Sequence, residues 1–137
     1  MDINDIRRAA GLPINESDEK QLIESWLKRL DIDDYTINDD LTVDVDNDVL
    51  IANKDLTKLP FKFGKVYGNF YASHNKLTSL KNAPDWVNGN FDVSFNLLTT
   101  LQGAPEYVGG NFYYNNNHLI PGDNVGIPKH VGGKIVK

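Results

Sequence analysis

The sequence lacks cysteine and long apolar runs, and these absences exclude several protein classes. Without cysteine the chain has neither a disulfide framework nor a thiolate metal site. No stretch approaches the roughly 20 apolar residues that a membrane-spanning helix needs. The N-terminus also lacks the charged, apolar and small-residue order of a secretory signal. With 137 residues, of which 40% are hydrophobic, the chain is predicted to be one soluble cytoplasmic protein without a membrane partner.

The charge distribution lacks a concentrated basic stripe. Residues 1–60 carry 15 acidic and 7 basic side chains, whereas residues 61–137 carry 4 and 7, within a net charge of −5. Binding to nucleic acid usually needs clustered basic side chains that displace counterions, so no nucleic-acid partner is predicted. The acidic half is interpreted either as a solubility feature or as a surface that steers a basic partner.

What the sequence does contain is an internal repeat. Three series of apolar residues each recur every 21 positions, and they are Leu56, Leu77, Leu98 and Leu119; Val49, Phe70, Phe91 and Phe112; and Val45, Val66, Val87 and Val108. A fixed period of this length indicates a solenoid, in which each repeat is stabilised by stacking on its neighbours. Residues two apart, such as Phe91 and Val93, are predicted to point into the core from one face of a short strand.

The best-preserved unit reads V-x-G-N-F-x-x-S-x-N-x-L-T-x-L and resembles the leucine-rich repeat, L-x-x-L-x-L-x-x-N-x-L. The consensus positions are filled, for example, by Phe91, Val93, Asn96, Leu98 and Leu101. The resemblance covers roughly residues 41 to 137. The repeat sequences are also similar to those of leucine-rich repeat proteins encoded by tailed bacteriophages. It implies an α/β solenoid with a 21-residue period, about five parallel strands and mostly irregular convex connections.

Each repeat has two candidate corners. The asparagines that end the strands, Asn75, Asn96 and Asn117, are predicted to turn their side-chain amides onto the backbone of the adjacent turn. The opposite corner contains Gly68, Gly89 and Gly110, where either a positive φ or a close backbone approach is expected.

Residues 1–34 do not repeat and are predicted to form an N-terminal helical cap on a solenoid of residues 35–137. Ser17 to Glu19 is typical of a helix N-terminus, and it is followed by an apolar stripe of Leu22, Ile23, Trp26, Leu27 and Leu30. The stripe covers the open end of the first repeat in one interpretation and docks on a partner in the other. A shorter segment from Asp2 to Ala10 is predicted to form another helix.

The segment from Asp31 to Asp55 contains nine aspartates and one lysine. Tyr35–Ile37 and Leu41–Val45 are predicted to be the strands of a hairpin. Alternating Asp44, Asp46 and Asp48 suggest a calcium loop, but a valine occupies the position where such a loop needs glycine. A solvated strand face is therefore the favoured interpretation.

No constellation of catalytic residues is present in the sequence. The histidines at 74, 118 and 130 are far apart in the sequence, and the residues that match His74 in the later repeats, Phe95 and Asn116, are not acids, bases or metal ligands. Ser73 and Ser94 are equivalent repeat positions and are not interpreted as nucleophiles. No glycine-rich loop carries the lysine of a phosphate site. The chain is predicted not to be an enzyme and to need no cofactor or metal.

The predicted site is the concave face of the sheet, where strand side chains alternate with the core positions. We assign partner binding to the exposed polar and aromatic residues of this face and its rim, namely Tyr71, His74, Asp92, Phe95, Tyr113 and Asn115. The alternative is that these aromatic residues only stack along the sheet and shield it.

The resemblance implies a protein–protein interaction module, and a phage origin would make it a modulator or inhibitor of a host protein in the host cytoplasm. The alternative is a virion component, because Ile14–Glu16 resembles the site at which some phage head proteases trim internal proteins, which would remove residues 1–16. Val131–Ile135 matches Val108–Phe112 after a step of 23 residues. This last strand predicts a homodimer or the addition of a partner strand, unless Lys134 and Lys137 prevent it.

Overall fold

Each turn of the chain, about 21 residues long, contributes one short strand to each of two sheets, and strands of successive turns pair in parallel. The computed structural model describes residues 11, 16–122 and 125–137. In that part of the chain the fold is a β-solenoid of about four turns with one helix. The elements are α1 (Glu16–Arg29), β1 (Tyr35–Ile37), β2 (Val43–Val45), β3 (Val49–Leu50), β4 (Phe63–Val66), β5 (Phe70–Tyr71), β6 (Trp86–Val87), β7 (Phe91–Asp92), β8 (Tyr107–Val108), β9 (Phe112–Tyr113), β10 (His130–Val131) and β11 (Ile135–Val136).

Five of these strands form the sheet that the sequence predicts, here called sheet B. Its order is β3-β5-β7-β9-β11, and all neighbours are parallel. The register pairs Val49 with Phe70, Phe70 with Phe91, and Phe91 with Phe112, which confirms the 21-residue step. Ile135 pairs with Phe112, so the longer last repeat of 23 residues keeps the same register.

A second sheet, here called sheet A, was not predicted. Its strands come shortly before those of sheet B in each turn, and the connections that follow sheet B, such as residues 72–85 and 93–106, are irregular as expected. Sheet A has six strands in the order β1-β2-β4-β6-β8-β10, and β1 alone is antiparallel to its neighbour. The β1–β2 pairing confirms the predicted hairpin, with Tyr35 opposite Val45. Three strands of sheet A, β6, β8 and β10, have only two residues each, and a pair by itself is too short to show the alternation that identifies a strand.

The core lies between the two sheets and the turns that follow sheet B. Phe63, Phe70, Phe91 and Phe112 are fully buried, and their neighbouring ring centroids lie 5.2 to 5.5 Å apart. The leucines of the repeat, among them Leu77 and Leu98, are buried beside this row. Burial of each such side chain contributes about 1.5–3 kcal/mol, but only stacked turns provide it.

The helix α1 joins the same core. Its residues Ile23 and Leu27 are buried, as is Leu30 just beyond it. Trp26 is half-buried, and the Arg29 guanidinium lies 4.3 Å from its ring centroid. The predicted helix from Asp2 to Ala10 and the cleavage site at 14–16 lie outside the described residues, apart from Glu16, where α1 begins.

Asp40 organises the turn between β1 and β2. Its Oδ1 accepts hydrogen bonds from the Thr42 hydroxyl at 2.7 Å and from the Thr42 backbone N–H at 3.1 Å. These bonds, the side-chain one first, lower the pKa of the Asp40 carboxyl below its ordinary value.

Among the described residues, the structure has no helix that is both long and apolar enough to cross a membrane.

Candidate functional site

Asparagine side chains fix one corner of each turn. Asn96 is buried, and its Oδ1 accepts the Leu77 N–H at 3.0 Å. Its Nδ2 donates to the carbonyl oxygens of Ala72, Val93 and Ser94. Asn75 and Asn117 make the equivalent bonds in the turns before and after. These are the amide-to-backbone bonds that the sequence predicts, and they satisfy the polar groups of a tight corner.

A second ladder fixes the corner between sheets A and B. Asn69 Oδ1 accepts the Asn90 N–H at 2.7 Å, and Asn90 Oδ1 accepts the Asn111 N–H at 2.8 Å. The ladder begins at Asp48. It ends at Lys134, whose backbone N–H donates to Asn111 Oδ1 at 2.8 Å.

The glycines of this corner allow the turns to approach. A Cβ atom on Gly89 would overlap Asn69 Oδ1 and come within 2.9 Å of Gly68 O. Of the two expected reasons for glycine, a close approach is therefore the one observed, since Gly68, Gly89 and Gly110 do not adopt positive φ. Asn47 replaces this glycine in the first turn, which has no earlier solenoid turn beside it among the described residues.

The two ladders place the outer side chains of sheet B in one column. The register aligns Leu50, Tyr71, Asp92, Tyr113 and Val136. The hydroxyl of Tyr71 accepts a hydrogen bond from Asn90 Nδ2 at 3.1 Å, and that of Tyr113 accepts one from Asn111 Nδ2 at 2.9 Å. Both tyrosine side chains are therefore held in place, half-buried, by the ladder beneath them.

Asp92 is turned toward its own strand. Its Oδ1 accepts the Ser94 hydroxyl at 2.6 Å and the Ser94 N–H at 2.9 Å. The column is therefore two anchored phenols separated by a carboxylate with one oxygen already bonded. Asn115, the remaining predicted residue of this sheet, is half-buried and donates from Nδ2 to Asn116 Oδ1 at 2.9 Å.

The rim beside this column has an unusual backbone. Asn53, His74, Phe95 and Asn116 occupy one repeat position, and their φ angles lie between 55° and 57°. Asparagine tolerates this left-handed conformation, but for a residue such as phenylalanine it costs about 1–2 kcal/mol. His74 and Phe95 are nevertheless exposed, and their rings stack with centroids 4.4 Å apart and planes inclined by 10°.

The structure thus brings the predicted site residues into two adjoining groups. Tyr71, Asp92 and Tyr113 are neighbours in the sheet, and His74 and Phe95 stack at the rim. Asn115 joins the second group through its carbonyl oxygen, which accepts the Phe95 N–H at 3.0 Å.

Two exposed features were missed by the sequence interpretation. Leu97, which lies two residues after Phe95 in the sequence, is an apolar side chain with 45% of its surface exposed. On the outer face of sheet A, Tyr107 stacks between Trp86 and His130 at centroid distances of 3.8 and 4.7 Å. The steps of 21 and 23 residues that separate these three rings are a signal from which the ladder could have been predicted.

In residues 16–122 and 125–137 no cluster of three or more histidine or acidic side chains is suited to holding a metal ion.

No protein-family model, curated protein or solved structure matches this chain.

Proposed function

We propose that this chain is a non-catalytic protein-recognition module that binds a protein partner through the outer face of sheet B and its rim. Its binding residues are Tyr71, His74, Asp92, Phe95, Tyr113 and Asn115, to which we add Leu97. Ordered aromatic residues beside polar ones are typical of the centres of protein interfaces. Tyr71 and Tyr113 are already held by the asparagine ladder, so binding would cost little side-chain entropy.

The observation that carries the proposal is Phe95. Its side chain is 43% exposed and its backbone is left-handed, in a position where the first and last equivalent turns have asparagine. The ring gains only partial burial and a stack on His74, while the left-handed backbone costs energy, so folding alone favours phenylalanine here much less than at a buried position. Strain of this kind, kept at an exposed position, supports a binding role.

The wider assignment belongs to the same proposal. We propose that the solenoid is a leucine-rich repeat and that α1 is its N-terminal cap, since Ile23 and Leu27 are buried in the core of the first turn. We further propose, from the resemblance to phage proteins, that the module acts in a host cytoplasm on a host protein, as a modulator or inhibitor.

The test replaces both rim rings with asparagine, the residue that occupies the same repeat position at 53 and 116. Phe95→Asn and His74→Asn remove both rings and keep a residue suited to positive φ. Affinity capture from host lysate with the full chain, read by quantitative mass spectrometry, should recover a partner that the double variant loses at least tenfold. Tyr107→Ala, an aromatic change on sheet A, is the matched control and should retain that partner. Equal recovery by all three proteins would refute binding at the rim.

A second candidate, a self-assembling virion component, is favoured by the last turn. Ile135 is 43% exposed, although its register partner Phe112 is fully buried. β11 is also an outer strand of sheet B among the described residues. An edge of this kind is a template for pairing, which Lys134 and Lys137 oppose by charge. Sedimentation should show dimers that Ile135→Lys abolishes, and mass spectrometry of virions should find the chain, if this candidate is correct.

A further inference from the structure

Sheet B is one strand shorter than sheet A at the N-terminal end of the solenoid. Sheet A begins with β1, which pairs with β2 of the first turn. In sheet B the first turn contributes β3, and among the described residues β3 pairs only with β5. The end of the solenoid therefore has a step as deep as one strand, which is about 4.8 Å.

The outer edge of β3 presents backbone groups for pairing. The N–H groups of Val49 and Ile51 donate toward β5, to the carbonyl oxygens of Asn69 and Tyr71, at 2.8 and 2.9 Å. Because successive residues of a strand alternate in direction, the N–H and C=O of Leu50 point away from β5 and into the step. The Leu50 side chain is also 59% exposed.

A cavity of about 250 Å³ lies in front of this edge. Its apolar lining includes Val45 and Leu50, and its polar lining is dominated by four aspartates, Asp31, Asp33, Asp34 and Asp48. Within the described residues none of these four carboxylates forms an ion pair with a lysine or arginine. The step therefore combines a strand edge, apolar contacts and uncompensated negative charge.

We propose that this step is a strand-addition site for an extended basic segment of a partner protein. Such a segment would extend sheet B by a sixth strand, with a carbonyl oxygen accepting the Leu50 N–H and an N–H donating to the Leu50 carbonyl oxygen. Its apolar side chains would cover the exposed Leu50, and its lysines or arginines would lie against the four aspartates. Backbone pairing supplies affinity, and charge complementarity selects a basic strand over a neutral one.

This site is independent of the binding face proposed above. The outer face of sheet B binds through side chains that point out of the sheet, whereas the step binds in the plane of the sheet. A probe with the required chemistry exists in the protein itself, because residues 130–137, His-Val-Gly-Gly-Lys-Ile-Val-Lys, combine two lysines with apolar side chains, have no acidic residue and include the strand β11 of the same sheet.

The experiment measures binding of a fluorescent peptide of this sequence to the full chain by anisotropy. The peptide should bind, and 0.5 M salt should weaken it at least fivefold because partly exposed charges are screened. The variant Asp33→Asn/Asp34→Asn should weaken it at least fivefold as well, whereas Asp39→Asn/Glu24→Gln, which removes equal charge elsewhere, should not. Circular dichroism would verify that both variants are folded.

Two peptides test the backbone part of the proposal. A peptide with N-methylated Ile and Val keeps every charge but loses strand pairing, so it should bind at least tenfold more weakly. A peptide with glutamate in place of both lysines should not bind. If the N-methylated and parent peptides bound equally well, binding would be nonspecific charge attraction, and the proposed strand-addition site would be wrong. The full chain could instead form concentration-dependent dimers that Asp33→Asn/Asp34→Asn abolishes. In that case the segment that occupies the step belongs to a second copy of this chain and not to a partner protein.

Discussion

Asn96 Oδ1 lies 3.0 Å from the backbone nitrogen of Leu77, and this one bond joins two successive turns at a buried corner. The two N–H bonds of the same amide are shared among three carbonyl oxygens, so a single side chain holds backbone groups of successive turns together. Asn96→Ala should lower the free energy of unfolding by about 3 kcal/mol, because several buried groups lose their partners together. Urea denaturation would measure this loss, with exposed Thr99→Ala as the control, which should change stability by less than about 0.5 kcal/mol.

Removal of the phenylalanine ring should cost much stability at position 91 and little at position 95. Phe91 is fully buried, so Phe91→Ala should cost about 3–5 kcal/mol. Phe95→Asn exchanges a strained, exposed ring for a residue that tolerates positive φ, and its cost should stay below about 1 kcal/mol. Thermal unfolding of the two variants makes the comparison. A loss for Phe95→Asn as large as that for Phe91→Ala would show that the ring serves stability, which would weaken its assignment to binding.

Gly89→Ala should destabilise the chain although the backbone conformation suits alanine. The added methyl group would displace Asn69 Oδ1 from the position in which it accepts the Asn90 N–H. We expect a loss of about 1–3 kcal/mol, which is typical of overpacking. Asn47→Ala is the matched control, since this residue occupies the same repeat position in the first turn. It should be tolerated better, and a similar loss in both variants, measured by chemical denaturation, would contradict the explanation by close approach.

Acid should weaken the hairpin that leads into the solenoid. The pKa of Asp40 is lowered in the folded protein, so its contribution to stability is present above the ordinary aspartate pKa and is lost as the pH falls through the lower, folded value. Stability measured between about pH 6 and 2 should therefore fall less steeply in Asp40→Asn than in the parent protein. Identical slopes in Asp40→Asn and in the parent protein would exclude the Thr42 bonds as the cause.

The repeat positions of sheet B could be predicted because they recur. Val49, Phe70, Phe91 and Phe112 follow one step, and their register in the structure is the one that the step predicts. The asparagine corner was predictable for the same reason, since a buried amide at a strand end has backbone groups to satisfy.

Sheet A and the geometry of the rim were not predicted, although Val45, Val66, Val87 and Val108 recur at the same step in sheet A. Strands such as Trp86–Val87 contain a single inward residue, whereas in sheet B a second inward residue follows two positions later, as Val93 follows Phe91. Histidine and phenylalanine do not favour the left-handed backbone conformation observed at His74 and Phe95. Only the asparagines at the same repeat position in the first and last turns indicate that conformation. The step at β3 depends on how the hairpin and α1 meet the first turn, which is a tertiary relationship without a local signal.

The repeated corners also make the molecule extensible. Every junction between internal turns uses the same amide bonds and the same glycine contact, so the junction does not depend on how many turns precede it. Duplicating residues 88–108 would insert one complete turn and lengthen each sheet by one strand, about 4.8 Å. The length of this protein is therefore a quantity that can change in whole turns by simple duplication within its coding sequence, while the surfaces at its two ends stay the same.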